Sequence, residues 1–172
     1  LPAGSRRPWE AAGFTEFAPL ALLRLDLSSP FRSPDHLVVA TEDTPIEALL
    51  RIDHAAFDDF WRFDRFGMEE AIAATGKAKT LIVRGQQGEP IGFSVVGFGH
   101  AVAYLQRLAV HPEWQGQRMG RSLIRASART ARSAGSHALM LNTQTDNAVA
   151  TALYESEGFV TLPEPLAVLR RG

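Results

Sequence analysis

Runs of apolar positions, broken by turn residues, divide the chain into short elements. Leu37 to Ala40, apolar and partly β-branched, reads as a strand. Thr44-Pro45 offers an N-cap and a first-turn proline for a helix through about Phe57, with Ile46, Leu49, Leu50 and Asp53 spacing out its faces. A second helix is predicted from Met68 to Thr75, stopped by Gly76. Between them lies Phe57-Asp58-Asp59-Phe60-Trp61-Arg62-Phe63-Asp64, aromatic and acidic without a clean period. Thr80 to Arg84, Ile91 to Gly99 and Val102 to Val110 read as an antiparallel meander. From Gly120 to Ala134, Leu123, Ile124, Ala128 and Ala131 fall at helical spacing with Arg121, Arg125, Arg129 and Arg132 on the other faces. A strand from Ala138 to Leu141, a helix from Asn147 to Ser156 closed by Gly158, and a strand from Leu166 to Arg170 complete the pattern. Such a mixture is α/β or α+β.

Composition narrows the setting. At 172 residues with 45% hydrophobic residues, one ordinary globular domain is the prior. A net charge of -1 offers no basic excess for the phosphate backbone, so nucleic acid is not the expected partner. The absence of cysteine excludes disulfides, zinc ribbons and a thiolate nucleophile, and no metal is expected. No run of about 18 apolar residues is present to span a bilayer and no basic-then-apolar leader is visible, so no membrane partner and a cytoplasmic location are expected. All basic residues but Lys77 and Lys79 are Arg, which suggests a GC-rich bacterial genome.

The chemistry concentrates where the third strand of the meander enters the arginine-rich helix. In Val110-His111-Pro112-Glu113-Trp114-Gln115-Gly116-Gln117-Arg118-Met119-Gly120-Arg121, a strand end, a glycine-containing loop and a helix start follow one another. Free N–H groups and the positive end of the helix dipole make such a junction an anion site, suited to a pyrophosphate. Alone, the pattern is equally that of a plain helix cap. About thirty residues on comes Asn147-Ala148-Val149-Ala150-Thr151-Ala152-Leu153-Tyr154-Glu155-Ser156-Glu157-Gly158-Phe159.

Together these two segments resemble the GNAT acetyltransferase superfamily, with its pyrophosphate loop Gln/Arg-x-x-Gly-x-Gly/Ala and its later Asn-x-x-Ala-x-x-Leu-Tyr-x-x-x-Gly-Phe. The resemblance covers about Leu37 to Arg170 and, within the superfamily, is similar to bacterial ribosomal-protein alanine N-acetyltransferases. It implies a GNAT fold: a mixed, mostly antiparallel twisted sheet flanked by helices, with a splayed central strand pair. It implies acetyl-CoA as co-substrate and a primary amine, on a small molecule or a protein N-terminus, as acceptor; a homodimer is left open. Residues carried over for cofactor binding are Leu108, Ala109 and Val110 on the strand, Gln115, Gly116, Gln117, Arg118, Met119, Gly120, Arg121 and Ser122 around the pyrophosphate, then Asn142, Asn147 and Tyr154. An amide near Val110 would polarise the thioester carbonyl. Tyr154 would be the catalytic acid for the departing sulfur. Arg118 stands where the family usually has glycine; the preferred reading keeps it at helical φ, adding a charge near a phosphate.

With no cysteine for an acyl-enzyme, direct attack within a ternary complex is the economical route. The base is open: the strand from Tyr104 to Val110 carries no carboxylate, with Tyr104 where a glutamate is usual and Gln106 beyond it. His100, Asp58, Asp59 and Asp64 are the nearest candidates by topology, beside water-mediated deprotonation; His111 reads as structural. The aromatic and acidic residues from Phe57 to Asp64 suit either a cationic amine or a hydrophobic clamp. The alternative to an enzyme is a non-catalytic acyl-CoA-binding regulatory module.

One internal echo remains. Trp9-Glu10-Ala11-Ala12-Gly13-Phe14, then Pro19-Leu20-Ala21-Leu22-Leu23-Arg24, parallels Tyr154-Glu155-Ser156-Glu157-Gly158-Phe159, then Pro165-Leu166-Ala167-Val168-Leu169-Arg170. The domain organisation expected is therefore a 1–27 segment resembling the end of a reduced preceding GNAT unit, with an apolar strand from Leu20 to Leu27, a breaker-rich linker over 28–36, and the acetyltransferase domain over 37–172.

Overall fold

The computed structural model describes residues 7–41 and 43–171, so residues 1–6 and 172 of the expected segments lie outside the described residues. In chain order the elements are α1 (Arg7–Ala11), β1 (Phe14–Asp26), β2 (Val38–Thr41), α2 (Ile46–Ala56), α3 (Arg65–Ala73), β3 (Ala78–Arg84), β4 (Pro90–Phe98), β5 (Val102–Val110), a 3-10 turn (Pro112–Trp114), α4 (Met119–Ser133), β6 (Ala138–Gln144), α5 (Ala148–Ser156), β7 (Val160–Thr161) and β8 (Leu166–Arg171). The hydrogen-bonded strand order is β2-β3-β4-β5-β6-β1-β7, with β8 also on β1. The fold is thus mixed α/β with an eight-stranded, mostly antiparallel sheet and flanking helices.

The chain groups into two compact units, Leu27–Leu139 and the residues up to Asp26 together with those from Met140 on. One division falls between Asp26 and Leu27 and the other between Leu139 and Met140. In the Leu27–Leu139 unit, Arg125 donates to Ser33 O (3.0 Å) and pairs with Asp35 (3.2 Å), Arg132 lies over the Phe31 ring, and Ser122 Oγ accepts from the Asp35 and His36 amides. The 28–36 segment is fastened along α4 by these contacts.

Within that unit β2, β3, β4 and β5 form an antiparallel ladder. Leu49 and Ile52 of α2 and Met68 of α3 pack on Ile82, Phe93, Val95 and Ala109 of the strands. Because side chains alternate across a strand, Ser94 faces the other way, where its hydroxyl meets Ser127 of α4 at 2.9 Å. The ladder slips between Val95 and Val96, leaving Gln106 of β5 as the extra residue of a bulge.

Helix starts follow local chemistry more closely than periodicity. α3 begins at Arg65, about one turn before the apolar period suggests, because Asp64 Oδ1 accepts from the Gly67 amide. Thr44 does not cap α2: Pro45 occupies the cap and the Thr44 hydroxyl donates to Thr41 Oγ1. In the second unit, β1 pairs with both β7 and β8. Its 13 residues reach well beyond the apolar run from Leu20.

Candidate active site

Hydrogen bonding at the end of β5 fixes which edge its main chain presents. His111 N donates to Ile91 O at 2.9 Å, and the register pairs Val110 with Gly92, Ala109 with Phe93 and Leu108 with Ser94. Antiparallel ladders alternate, so Leu108 and Val110 turn their N–H and C=O groups away from β4, whereas Ala109 turns its own toward it. The Val110 carbonyl is taken by Gln115 Nε2 at 3.0 Å, which pins the following loop to the strand end. The Val110 N–H points to the side of β5 away from β4.

The loop after Val110 is built by three local devices. His111 Nδ1 accepts from the Glu113 amide and caps the 3-10 turn, the structural role its place suggested. Gly116 has φ +74° and Arg118 φ +66° with ψ 11°, both left-handed. The preference for a helical φ at Arg118 is therefore overturned: this residue does what the missing glycine does, at a cost of about 1–2 kcal/mol. Among the described residues it is the one non-glycine with positive φ. Its exposed guanidinium has no hydrogen bond or ion pair among the described residues.

Immediately after this turn α4 starts at Met119 with no side-chain cap, and the first amide bonded back is that of Ser122, to Arg118 O (3.0 Å). The amides of Met119 and Gly120 thus lie at the helix N-terminus, unclaimed by the first turn. Gln115, Gly116, Gln117 and Arg118 are exposed, whereas Met119 is buried and contributes through its main chain. Ser122 is fully buried, its amide closes the first turn and its hydroxyl holds the 33–36 segment.

Asn142, Asn147 and Tyr154 belong to the other unit, described by itself. Asn142 is exposed on β6. Asn147 Oδ1 accepts from Ala150 N at 3.1 Å and caps α5, which explains an Asn at that position without any ligand. Tyr154 lies two turns on, half-buried, its ring 5.7 Å from that of Phe159. Desolvation by burial pushes the Tyr154 phenol from 10.0 up to about 12, so it is a proton-bearing hydroxyl at neutral pH.

The candidate bases scatter. His100 sits in the β4–β5 turn, at the opposite end of β5 from Val110, about 26 Å along a nine-residue strand. Asp58 and Asp59 are exposed, Asp59 being paired with Arg62, and Asp64 is spent on capping α3. The carboxylate that matters is Asp53, fully buried, which sequence periodicity treated only as a helix face. Its Oδ2 binds Arg107 Nε at 2.6 Å and its Oδ1 accepts from Phe63 N at 2.9 Å. The Arg107 guanidinium also donates to Trp61 O and lies 3.7 Å from the centroid of Phe57 and 3.9 Å from that of Phe63. The aromatic segment is organised around an internal cation, Arg107, which already occupies one face of Phe57 and of Phe63. Beside Arg107, the bulge residue Gln106 has its amide oxygen buried and without a partner among the described residues.

Comparison with known proteins places this geometry. The acetyltransferase (GNAT) family profile matches residues 46–159. A mycothiol acetyltransferase from Nocardiopsis dassonvillei is 43% identical over 61 residues, 36% of this chain and 18% of that protein. A GNAT-family structure from Novosphingobium aromaticivorans superposes with TM-score 0.71 at 22% identity, over 91% of this chain and 66% of the other. The ribosomal-protein-S18-alanine N-acetyltransferase of Escherichia coli superposes with TM-score 0.64 at 23% identity, over 77% of this chain and 90% of that one. This chain thus spans under a fifth of its curated relative and about two thirds of the first structure. The family profile covers two thirds of the sequence, and the chain belongs to the GNAT acetyltransferase family.

Proposed function

We propose that the chain transfers an acetyl group from acetyl-CoA to a primary amine by direct attack in a ternary complex. The observation that carries this reading is the left-handed pair Gly116 and Arg118 at the start of α4, which turns the loop so that the amides of Met119 and Gly120 converge at the helix N-terminus. Consecutive amides of that kind, with the unpaired Arg118 cation beside them, suit a pyrophosphate. The outward main chain of Leu108 and Val110 suits pairing with the amide groups of pantetheine, as an added strand would pair. The Val110 N–H, with its own carbonyl held by Gln115, is the donor assigned to the thioester oxygen.

In this reading the amine nitrogen attacks the thioester carbon, the C–S bond breaks, and the Tyr154 phenol gives its proton to the departing sulfur. A phenol kept neutral to about pH 12 holds that proton at working pH. The amine proton leaves to water, because β5 carries no carboxylate and Asp53 is locked to Arg107. Gln106, an amide rather than an acid, orients an amine or a water but cannot deprotonate it. One relative is named for the alanine of a ribosomal protein and another for mycothiol. Acceptors to test are therefore peptides beginning with alanine and small amines.

The missing strand carboxylate favours a second reading, an acyl-CoA-binding module without turnover. Calorimetry with acetyl-CoA and a thiol-release assay across an amine panel separate the two. Binding with amine-dependent release supports the enzyme; binding with no release for any amine supports the module.

A further inference from the structure

The loop before α4 is held from a distant part of the chain as well as locally. Gln115 Nε2 donates to Val110 O and Gln117 Nε2 donates to Glu113 O at 3.1 Å, and both ties are short-range. A third comes from the segment ahead of β2: His36 Nε2 lies 2.9 Å from Gln117 O. A carbonyl oxygen only accepts, so Nε2 is the nitrogen that carries the proton. All of these groups belong to the Leu27–Leu139 unit.

His36 is itself firmly placed. Its amide and that of Asp35 donate to the buried Ser122 hydroxyl oxygen at 3.0 and 3.1 Å, and the buried Arg125 grips Ser33 O and the Asp35 carboxylate. Two residues on, Val38 enters the ladder opposite Val83. The ring is presented from a backbone fixed on both sides.

The bond falls on a peptide whose orientation matters. A trans peptide is planar with its C=O and N–H on opposite sides, so a Gln117 carbonyl turned to His36 sends the Arg118 N–H the other way. Arg118 is left-handed, φ +66° and ψ 11°, and a right-handed helix follows at once. That succession makes consecutive N–H groups, here those of Arg118, Met119 and Gly120, converge in a concave nest for an anion. Turning the 117–118 peptide over by about 180° would carry Arg118 to an ordinary negative φ. The Arg118 carbonyl would keep its bond from Ser122 N, while the Gln117 oxygen would stand where the Arg118 N–H had been. Such a turn relieves the strain of a side chain at positive φ and replaces a donor of the nest by an acceptor. The strain and one hydrogen bond are of similar size, so the bond decides which orientation is populated.

We infer that His36 is a positioning residue for this loop: by holding the Gln117 carbonyl, its Nε2–H keeps the 117–118 peptide from turning over, and so keeps Arg118 left-handed with its N–H in the nest. The inference rests on the reading of the loop as a pyrophosphate seat. His36 acts on the ligand only through the backbone of Arg118. The latch is needed because arginine stands at 118, whereas glycine holds a left-handed conformation without strain.

The test is calorimetric binding of CoA to single and double variants. His36→Phe keeps a ring and removes the donor; His36→Gln keeps an N–H as many bonds from Cβ as Nε2. With Arg118 in place, His36→Phe is expected to weaken CoA binding about five- to tenfold, because the turned-over fraction of the loop is lost to binding. His36→Gln is expected to restore affinity to within about twofold of the unaltered chain. In the Arg118→Gly chain the same His36→Phe should change affinity by less than about twofold. An equal loss in both backgrounds, or none in the first, would overturn the inference. A ligand-free measurement runs beside it: Arg118→Gly should raise the urea midpoint of unfolding, and in His36→Phe, whose loop has already shed the strain, by less than about half as much. Equal rises would overturn the latch whether or not CoA binds. Unequal rises in a protein that binds no CoA would support the latch and count against the pyrophosphate reading, so the two failures are told apart.

Discussion

Single residues decide what the loop before α4 and the Tyr154 hydroxyl can do in the proposed reaction. Arg118 holds a left-handed conformation that glycine adopts without strain. Arg118→Gly is therefore expected to raise stability by about 1 kcal/mol in denaturant titration. The same variant should raise KM for acetyl-CoA with kcat little changed, because the lost cation acts on binding. Tyr154→Phe should lower kcat about 100-fold with KM for acetyl-CoA unchanged. Its phenol also leaves a mark on stability: ionisation begins near pH 10.0 in the unfolded chain but near 12 in the folded one. The folded state then binds more protons, and stability falls as pH rises through that window. Unfolding curves measured between pH 10 and 12 should lose that slope in Tyr154→Phe. Asp53→Ala leaves the nearly buried Arg107 without its carboxylate and should cost about 3–5 kcal/mol, read in the same titrations. Of these residues Tyr154 and Asn147 were legible, since a helix motif keeps its spacing in the sequence. The backbone angle of Arg118 was not, because residue type alone leaves φ undetermined. Neither was the pairing of Asp53 with Arg107, 54 positions apart, which depends on α2 crossing β5.

Elements were legible where their own residues define them. The strand β5 coincides with the predicted run, and α4 is displaced by one residue because its amphipathic period is strong. β1 was recognised only from Leu20 on: its first half contains Glu16 and Pro19, and its partner β8 lies about 150 residues away. The strand is nonetheless integral to its unit. β7 and β8 both pair with it, and Leu23 within it is fully buried. Deleting the residues through Leu27 should therefore abolish a cooperative thermal transition followed by circular dichroism. An unchanged melting curve would make β1 dispensable and contradict the observed pairing. The milder Leu23→Ala should cost about 2–5 kcal/mol if the strand is integral to the fold.

For the whole molecule, the mixed fold followed from the order of elements, and the family from two motifs in the right order. The grouping into compact units did not follow, because the chain's two ends come together through strand pairing that no local pattern announces. The absence of cysteine keeps its force: the chain offers no thiolate to carry an acyl group, which favours direct transfer. It also makes free-thiol detection clean, since any thiol released in an assay comes from CoA. The most direct test of the central claim is therefore thiol release from acetyl-CoA across a panel of alanine-initiated peptides and small amines, with Tyr154→Phe alongside. Amine-dependent release that falls about 100-fold in the variant is the predicted result. Equal release from the two proteins, or none from either with any amine, would contradict it.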